Sequence, residues 1–167
     1  FEGADLEIVD KLMGDLGAHC LIKPHPLAAQ PKRIDMENLT VLSENDFRTV
    51  LDCTLYEVLA HADVLITDYS SVLIDFLLTQ RPMVFAISDL DLYSATRGHY
   101  FPDLHALLPG PLVTDVAGLA EALAALFGND DQWVEERREA LALHHLHVDA
   151  GSAERVADLV ERELNGT

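Results

Sequence analysis

The sequence predicts a doubly wound, Rossmann-like α/β fold with a parallel sheet. Short apolar runs such as residues 62–67 and 82–87 are typical of strands that are buried on both faces. Segments with helical spacing of apolar residues alternate with these runs, mostly through short connections. We expect one domain over residues 1–167, without repeats or an internal boundary.

The elements follow in a regular order. We expect strands at residues 19–23, 39–42, 62–67, 82–87 and 112–114. We expect helices at residues 2–16, 54–61, from 72 onward, 116–127, 131–143 and 152–164. Gly17 ends the first helix, Pro24 stops the first strand, and Ser152 is expected to cap the last helix. Residues 27–38 and 88–98 are expected to be loops.

Composition limits the partners of this chain. Its 29 acidic and 11 basic residues give a formal charge of −18, which argues against nucleic acid or anionic lipid as a partner of the general surface. A phosphate ligand must therefore be held locally, by amides, hydroxyls and a few cations. Cys20 and Cys53 lack metal-like spacing and are expected to be reduced, in keeping with a cytoplasmic protein. The chain opens on Phe1 and has no signal peptide or membrane span, so we expect a soluble fragment of a longer protein.

The stretch from residue 62 to 75 predicts an anion site. A buried strand turns through Asp68 and Tyr69 to Ser70 and Ser71, and an apolar helix follows. Either serine is a natural N-cap, and free amides, two hydroxyls and the positive end of the helix dipole favour an anion there. Asp75 lies one turn down on the same face. The alternative is a serine-capped core helix whose Asp75 bonds a neighbouring loop.

Three further side chains are candidates for ligand contacts. His25 stands between two prolines at the end of the first strand, where it can donate to a phosphate or stabilise a leaving group, although a loop histidine bonded to a carbonyl fits equally well. Arg97 lies in a loop after a strand, in a chain with few cations. Arg155 opens the last helix, where a positive charge is unfavourable, and this indicates a specific partner.

Two clusters resemble metal sites but favour other interpretations. A histidine group lies near a helix end, where cationic side chains suit the dipole, and no carboxylate triad lies beside it; an aspartate group matches no standard calcium loop. These groups are His144, His145 and His147, and Asp89, Asp91 and Asp103. We expect neither a metal nor another cofactor.

Five ordered motifs resemble one known family. They are KPHP at 23–26, ADVLITDYSSVLIDF at 62–76, RPMVFAISDLDLY at 81–93, RGHYF at 97–101 and PGPLV at 109–113. In this order and spacing they resemble the CDP-glycerol glycerophosphotransferases of teichoic-acid synthesis, which are GT-B enzymes. DAGSAERV at 149–156 extends the likeness, with Gly151 one place later than usual.

The resemblance implies the C-terminal, donor-binding half of a two-domain transferase. Such an enzyme transfers glycerol phosphate from CDP-glycerol to a hydroxyl of a lipid-linked polymer, which the N-terminal half holds, and releases CMP. The resemblance also implies roles for seven residues: a catalytic and diphosphate-binding role for His25, diphosphate binding by Ser70 and Ser71, glycerol binding by Asp75, a place near the phosphates for Arg97, and substrate contacts for Asp68 and Tyr69. The parent protein would lie on the inner face of the cell membrane, and this chain alone would be inactive.

Two rival functions remain open. One is a non-catalytic α/β module that binds a nucleotide or a protein, and the other is a nucleotide-sugar glycosyltransferase of the same fold. CDP-ribitol is also open as a donor.

The Rossmann order predicts a gap where its first strand belongs, between residues 19–23 and 62–67. We expect direct pairing of these strands, a segment of a second copy (a homodimer), or an upstream strand of the parent protein to fill it. A gap open to solvent would contradict this strand order.

Overall fold

A computed structural model describes residues 3–24, 33–87 and 108–166, and its elements alternate as predicted. The strands are β1 (Cys20–Ile22), β2 (Ile34–Asp35), β3 (Leu39–Val41), β4 (Leu65–Thr67), β5 (Met83–Ala86) and β6 (Leu112–Val113). The helices are α1 (Gly3–Leu16), α2 (Glu44–Thr49), α3 (Leu55–His61), α4 (Val72–Phe76), α5 (Val116–Phe127), α6 (Val134–His144) and α7 (Ser152–Asn165). A 3₁₀ turn, Leu77–Thr79, continues α4. No helix in these ranges has the length and apolar character needed to cross a bilayer.

The strands form two three-stranded sheets, in the orders β1-β3-β2 and β4-β5-β6. β1 and β3 are parallel, as are β4, β5 and β6, whereas the short β2 runs antiparallel to β3. The second sheet thus brings the carboxyl ends of β4, β5 and β6 to one edge. The parallel α/β class predicted from the sequence is confirmed.

β5 is buried on both faces, and its residues alternate between two apolar clusters. Met83 and Phe85 lie in the first cluster, with α3, α4 and α6, and Val84 lies in the second, with α1 and α5. Because successive side chains of a strand point to opposite faces, helices cover both sides of this sheet. The doubly wound arrangement follows directly.

The two sheets share the second cluster but do not pair with each other in the described residues. β3 of one sheet contributes Leu39 and Val41, and β6 of the other contributes Val113, with α1 packed against α5 between them. Direct pairing of β1 with β4 was one of three expected solutions, and it is wrong. Cys20, Ile22 and Ile66 are half-buried against the shared cluster, whereas Leu21 of β1 is 42% exposed. The other two solutions stay predictions.

Several predicted boundaries need correction. Residues 34–35 of the expected loop form β2, because Ile34 and Asp35 pair with Val41 and Thr40. α2 was not predicted; it begins at a capping box between Ser43 and Asp46. The last helix is capped at Gly151 rather than at Ser152, without a side-chain cap. The loops at residues 27–32 and 88–98 lie outside the described residues.

Candidate functional site

The turn after β4 is held by Asp68. Its Oδ1 accepts a hydrogen bond from the Ser70 N–H at 2.8 Å, which is the local pattern of an Asx-turn. This bond reverses the chain within two residues and brings Ser70 and Ser71 to the surface, where both are exposed. Asp68 therefore already uses one of the amides that the sequence assigned to an anion.

Ser71 stands at the N-cap of α4 but does not cap it. Its backbone is already helical (φ −59°, ψ −13°) and its hydroxyl makes no capping bond, which corrects the prediction of a serine cap. The first helical bonds run from the Leu73 and Ile74 N–H groups to the Ser70 and Ser71 carbonyls. The Ser71 and Val72 N–H groups precede these bonds, so the helix does not need them for itself.

The length of α4 changes the physical basis of the expected anion site. A helix of five residues has few aligned peptide dipoles, so its macrodipole contributes little. Attraction of an anion to this edge of the sheet therefore depends on individual hydrogen-bond donors, namely two amides and two hydroxyls. The dipole of a long helix does not contribute.

Asp75 lies on the exposed side of α4, and Tyr56 from α3 lies beside it. The Tyr56 hydroxyl is 3.5 Å from Asp75 Oδ2, at the long limit of a hydrogen bond, and 63% of Tyr56 is exposed. Among the described residues, this is the contact that the Asp75 carboxylate makes. Sequence reasoning missed Tyr56, because no local pattern relates α3 to α4.

A capping box fixes the start of α3 and so the place of Tyr56. Thr54 Oγ1 accepts from the Glu57 N–H at 3.2 Å, and Glu57 Oε2 accepts from the Thr54 N–H at 2.7 Å. The Thr54 N–H and the Thr54 hydroxyl both donate to Glu57 Oε2, at 2.7 and 2.8 Å, and these two bonds lower the pKa of Glu57. The spacing of Thr54 and Glu57 is a recognisable helix-start signal.

The inner side of α4 is anchored in the first cluster. Leu73 and Phe76 are both 1% exposed, and Leu77 in the following turn is fully buried. Tyr69 is half-buried against the same cluster, which gives it a packing role that the sequence did not predict. Burial on one side and exposure of Asp75 on the other fix the direction in which α4 faces.

α6 braces the α4 segment at two further points. Arg137 Nε donates to the Gln80 carbonyl at 3.2 Å, and Gln80 Nε2 donates to the Arg137 carbonyl at 3.3 Å. His145 Nε2 lies 2.8 Å from the Ile74 carbonyl. These contacts join positions 57 and 71 residues apart, which explains why local patterns could not reveal them.

The remaining candidates divide between described and undescribed residues. His25 and Arg97, and with them Asp89, Asp91 and Asp103, lie outside the described residues. Arg155 donates to Asp149 at 2.8 Å, so the specific partner expected for it is this carboxylate, which also accepts from the Gly151 N–H. These two bonds lower the pKa of Asp149.

The described ranges contain no group of three side chains arranged to hold a metal ion. His145 instead bonds α4, His147 is exposed, and His144 is half-buried. Burial and the neighbouring His145 lower the pKa of His144. Cys20 and Cys53 are both free thiols, and burial raises the pKa of Cys20.

The parallel sheet with helices on both faces is that of a Rossmann-like α/β protein, and likeness to solved structures places it in the GT-B fold class. The chain belongs to the CDP-glycerol:poly(glycerophosphate) glycerophosphotransferase family, whose model matches residues 4–162.

Curated relatives support this assignment. The chain is 39% identical over 126 residues to the teichoic acid ribitol-phosphate primase of Bacillus spizizenii, a match that covers 72% of this chain and 31% of the relative. It is 33% identical over 117 residues to the teichoic acid glycerol-phosphate transferase of Staphylococcus aureus, covering 70% of this chain and 28% of the relative. The chain therefore spans about a third of the length of these relatives.

Similar solved structures support the same family and fold. The wall teichoic acid polymerase TagF superposes with a TM-score of 0.58 at 25% identity, over 97% of this chain and 49% of that chain. A further TagF structure, from a variant soaked with CDPG for 30 minutes, gives a TM-score of 0.57 at 25% identity, over 97% of this chain and 47% of that one. The predicted family and fold are confirmed.

Proposed function

We propose that this chain is the donor-binding part of a glycerophosphotransferase. It binds CDP-glycerol, and the glycerol phosphate passes to a hydroxyl of a teichoic-acid-like polymer held by a part of the protein outside these residues. The observation that carries the proposal is the family match over residues 4–162, which contains the whole turn from Asp68 to Asp75.

The diphosphate of the donor is assigned to the start of α4. The Ser70 and Ser71 hydroxyls are exposed, and the Ser71 and Val72 amides precede the first helical bonds. Such groups donate to phosphate oxygens. Asp68 and Asp75 are carboxylates, so they repel an anion, and we assign the compensating positive charge to His25 and Arg97.

The glycerol moiety is assigned to Asp75. A carboxylate accepts hydrogen bonds from neighbouring hydroxyls of a polyol and makes none with an alkyl group. Tyr56, at 3.5 Å from Asp75 Oδ2, is close enough to share the same ligand. This arrangement supports selection of a polyol over an unsubstituted phosphate.

The reaction then needs little covalent chemistry from this chain. The acceptor oxygen attacks the glycerol-bearing phosphorus, the bond from that phosphorus to the CMP oxygen breaks, and CMP leaves with the electron pair. The acceptor hydroxyl loses its proton to a base outside the chain, while donors at the phosphates stabilise the charge that develops. Residues 1–167 alone are therefore expected to bind the donor without turning it over. Because the acceptor is lipid-linked, we expect the parent protein at the inner face of the cell membrane.

CDP-ribitol is a second candidate donor. The relative at 39% identity is a ribitol-phosphate primase, whereas other relatives act on glycerol phosphate. Both donors consist of cytidine, a diphosphate and a polyol, so the same assignments apply to each. A nucleotide-binding module without chemistry is the rival outside the enzymes.

Calorimetric titration of chain 1–167 tests donor binding. We expect heat with CDP-glycerol or CDP-ribitol, and less than a tenth of that affinity for UDP-glucose. Asp75→Asn should weaken the CDP-polyol by about tenfold but leave CMP unchanged, because only the polyol contact is lost.

Asp63→Asn is the matched control, since Asp63 is an exposed aspartate at the opposite end of β4. Equal losses for both variants, or no binding of either CDP-polyol by the folded chain, would contradict the proposal. CMP release by the full-length parent with a lipid-linked acceptor separates a transferase from a binding module.

A further inference from the structure

The three histidines at the end of α6 have different surroundings. His147 is exposed, whereas His145 is half-buried with its Nε2 2.8 Å from the carbonyl oxygen of Ile74. A carbonyl oxygen only accepts, so His145 Nε2 carries a proton and donates.

The Ile74 carbonyl belongs to the peptide group that continues into Asp75. A peptide group is planar and includes the N–H and Cα of the next residue. A hydrogen bond to the Ile74 carbonyl oxygen therefore also restrains the Asp75 N–H and Cα. Ile74 lies two residues before the end of α4, where the Leu77 N–H donates to the Leu73 and Asp75 carbonyls. The His145 ring adds a donor from outside the helix to the Ile74 carbonyl, in the peptide group that leads into Asp75.

The neighbouring contacts make His145 part of a rigid support. Ala140 is 2% exposed and lies in the first cluster with Leu73 and Phe76, and Leu141 packs against that cluster. The His145 N–H donates to the Leu141 carbonyl at 2.8 Å, which joins the histidine to the buried end of α6. A ring held in this way presents its Nε2–H at a fixed position.

We propose that His145 is a positioning residue for Asp75: it orients the carboxylate that selects the polyol of the donor. This inference rests on the proposed function for the identity of the ligand. That His145 restrains the backbone before Asp75 is argued from the contact with Ile74 and does not depend on the ligand. Neither the family match nor the names of the relatives assign this histidine a role.

The test uses chain 1–167 with four variants and two readouts. His145→Ala removes the donor, and His145→Gln restores an N–H near the position of Nε2. His147→Ala is the matched control, and Asp75→Asn provides the background for a double-mutant cycle. The readouts are the amide NMR signal of Asp75 and the dissociation constant of CDP-glycerol.

We expect His145→Ala to move the Asp75 amide signal and to weaken CDP-glycerol about fivefold, the order of one net hydrogen bond. His145→Gln should recover most of that affinity, and His147→Ala should change neither readout. In the Asp75→Asn background, His145→Ala should have no further effect on affinity, which a general loss of stability would not produce.

Two results would overturn the inference. One is an Asp75 signal that stays in place in His145→Ala, and the other is an equal further loss of affinity from His145→Ala in the Asp75→Asn background. If the wild-type chain binds no CDP-glycerol, the proposed function fails, while the Asp75 signal in His145→Ala still decides the positioning role.

Discussion

At the scale of single residues, Arg137 is the one charged side chain that is fully buried in the described part of the chain, at 2% exposure. Two of its guanidinium nitrogens donate to the two carboxylate oxygens of Asp131, at 3.0 and 2.5 Å, and a third bond goes to the Gln80 carbonyl. A buried guanidinium is tolerated only when its donors are satisfied. This group ties α6 to the turn before β5, close to the candidate site.

Asp131→Asn should lower the free energy of unfolding by about 2 kcal/mol, because a buried cation loses its charged partner. Denaturation in urea measures the change. Glu135→Gln is the control, since the Arg138–Glu135 pair is exposed on both sides and should contribute about 0.5 kcal/mol or less. Equal effects for the two variants would contradict the assigned role of Arg137.

The same pair predicts a dependence of stability on acid. Hydrogen bonds from Arg137 lower the pKa of Asp131 from its ordinary value of 3.8, so the folded state favours the charged form. The stabilisation is complete above that ordinary pKa and is lost as the pH falls through the lowered one. The stability difference between wild type and Asp131→Asn should therefore shrink in acid, and a difference that grows would exclude this origin.

Gly110 lies where no side chain fits. A Cβ atom at this position would come within 2.2 Å of the Met83 carbonyl oxygen, which belongs to the backbone of the central strand β5. Gly110→Ala should thus cost more than about 2 kcal/mol, measured as a loss of thermal or urea stability. Gly118→Ala is the control, because its Cβ would meet only ordinary contacts near 3.5 Å inside a helix. A loss as large at Gly118 would show that the close approach is not the cause.

At the scale of elements, agreement between sequence and structure depends on where the signal lies. α5 has the predicted bounds, because Asp115 caps it, Leu119 and Leu123 face the core, and Gly128 ends it. Two predicted starts were too early. The strand expected from residue 62 begins at Leu65, and the helix expected from residue 131 begins at Val134, because apolar character alone does not mark the first paired or helical residue. Ser71 does not cap α4, because its backbone is already helical and the Leu73 and Ile74 N–H groups bond backbone carbonyls instead.

α7 presents an apolar face that the described residues leave uncovered. Val156, Leu159 and Val160 are 50–60% exposed and Leu164 is 81% exposed, and no residue of this helix is buried. Helices gain most of their stability from packing, so α7 should be the least protected long helix of the chain.

Hydrogen exchange should measure faster exchange for the amides of α7 than for those of α5, which buries Leu119 and Leu123. The difference should be at least about tenfold, because α7 opens without breaking a core. Equal protection would mean that α7 is held by contacts that its exposure does not reveal.

At the scale of the whole molecule, the two sheets leave an edge of β1 and an edge of β4 without a paired neighbour in the described residues. The Cys20 N–H donates to the Asn38 carbonyl on the β3 side, and the Leu65 N–H donates to the Pro82 carbonyl on the β5 side. Successive amides of a strand point to opposite edges, so the Leu21 and Ile66 N–H groups face the unpaired edges. Unpaired edges of this kind accept a further strand.

We therefore expect chain 1–167 to associate into a dimer as its concentration rises, because direct pairing of β1 with β4 does not occur. Light scattering measures the mass. Leu21→Pro, which removes one edge amide without touching the bonds to β3, should weaken association, whereas Ile8→Ala on the exposed side of α1 should not. A monomer at every concentration would leave an upstream strand of the parent protein as the remaining solution.

The contacts between α6 and the α4 segment also affect the order of folding during translation. Gln80 and Ile74 are translated before their partners Arg137 and His145, which lie 57 and 71 residues further along the chain. A growing polypeptide can form β4, α4 and β5 from local contacts, but the hydrogen bonds from α6 that brace them cannot form until α6 has left the ribosome. The segment assigned to the donor is thus translated before the helix that braces it, so a ribosome stalled before α6 would hold a domain with an unfinished site.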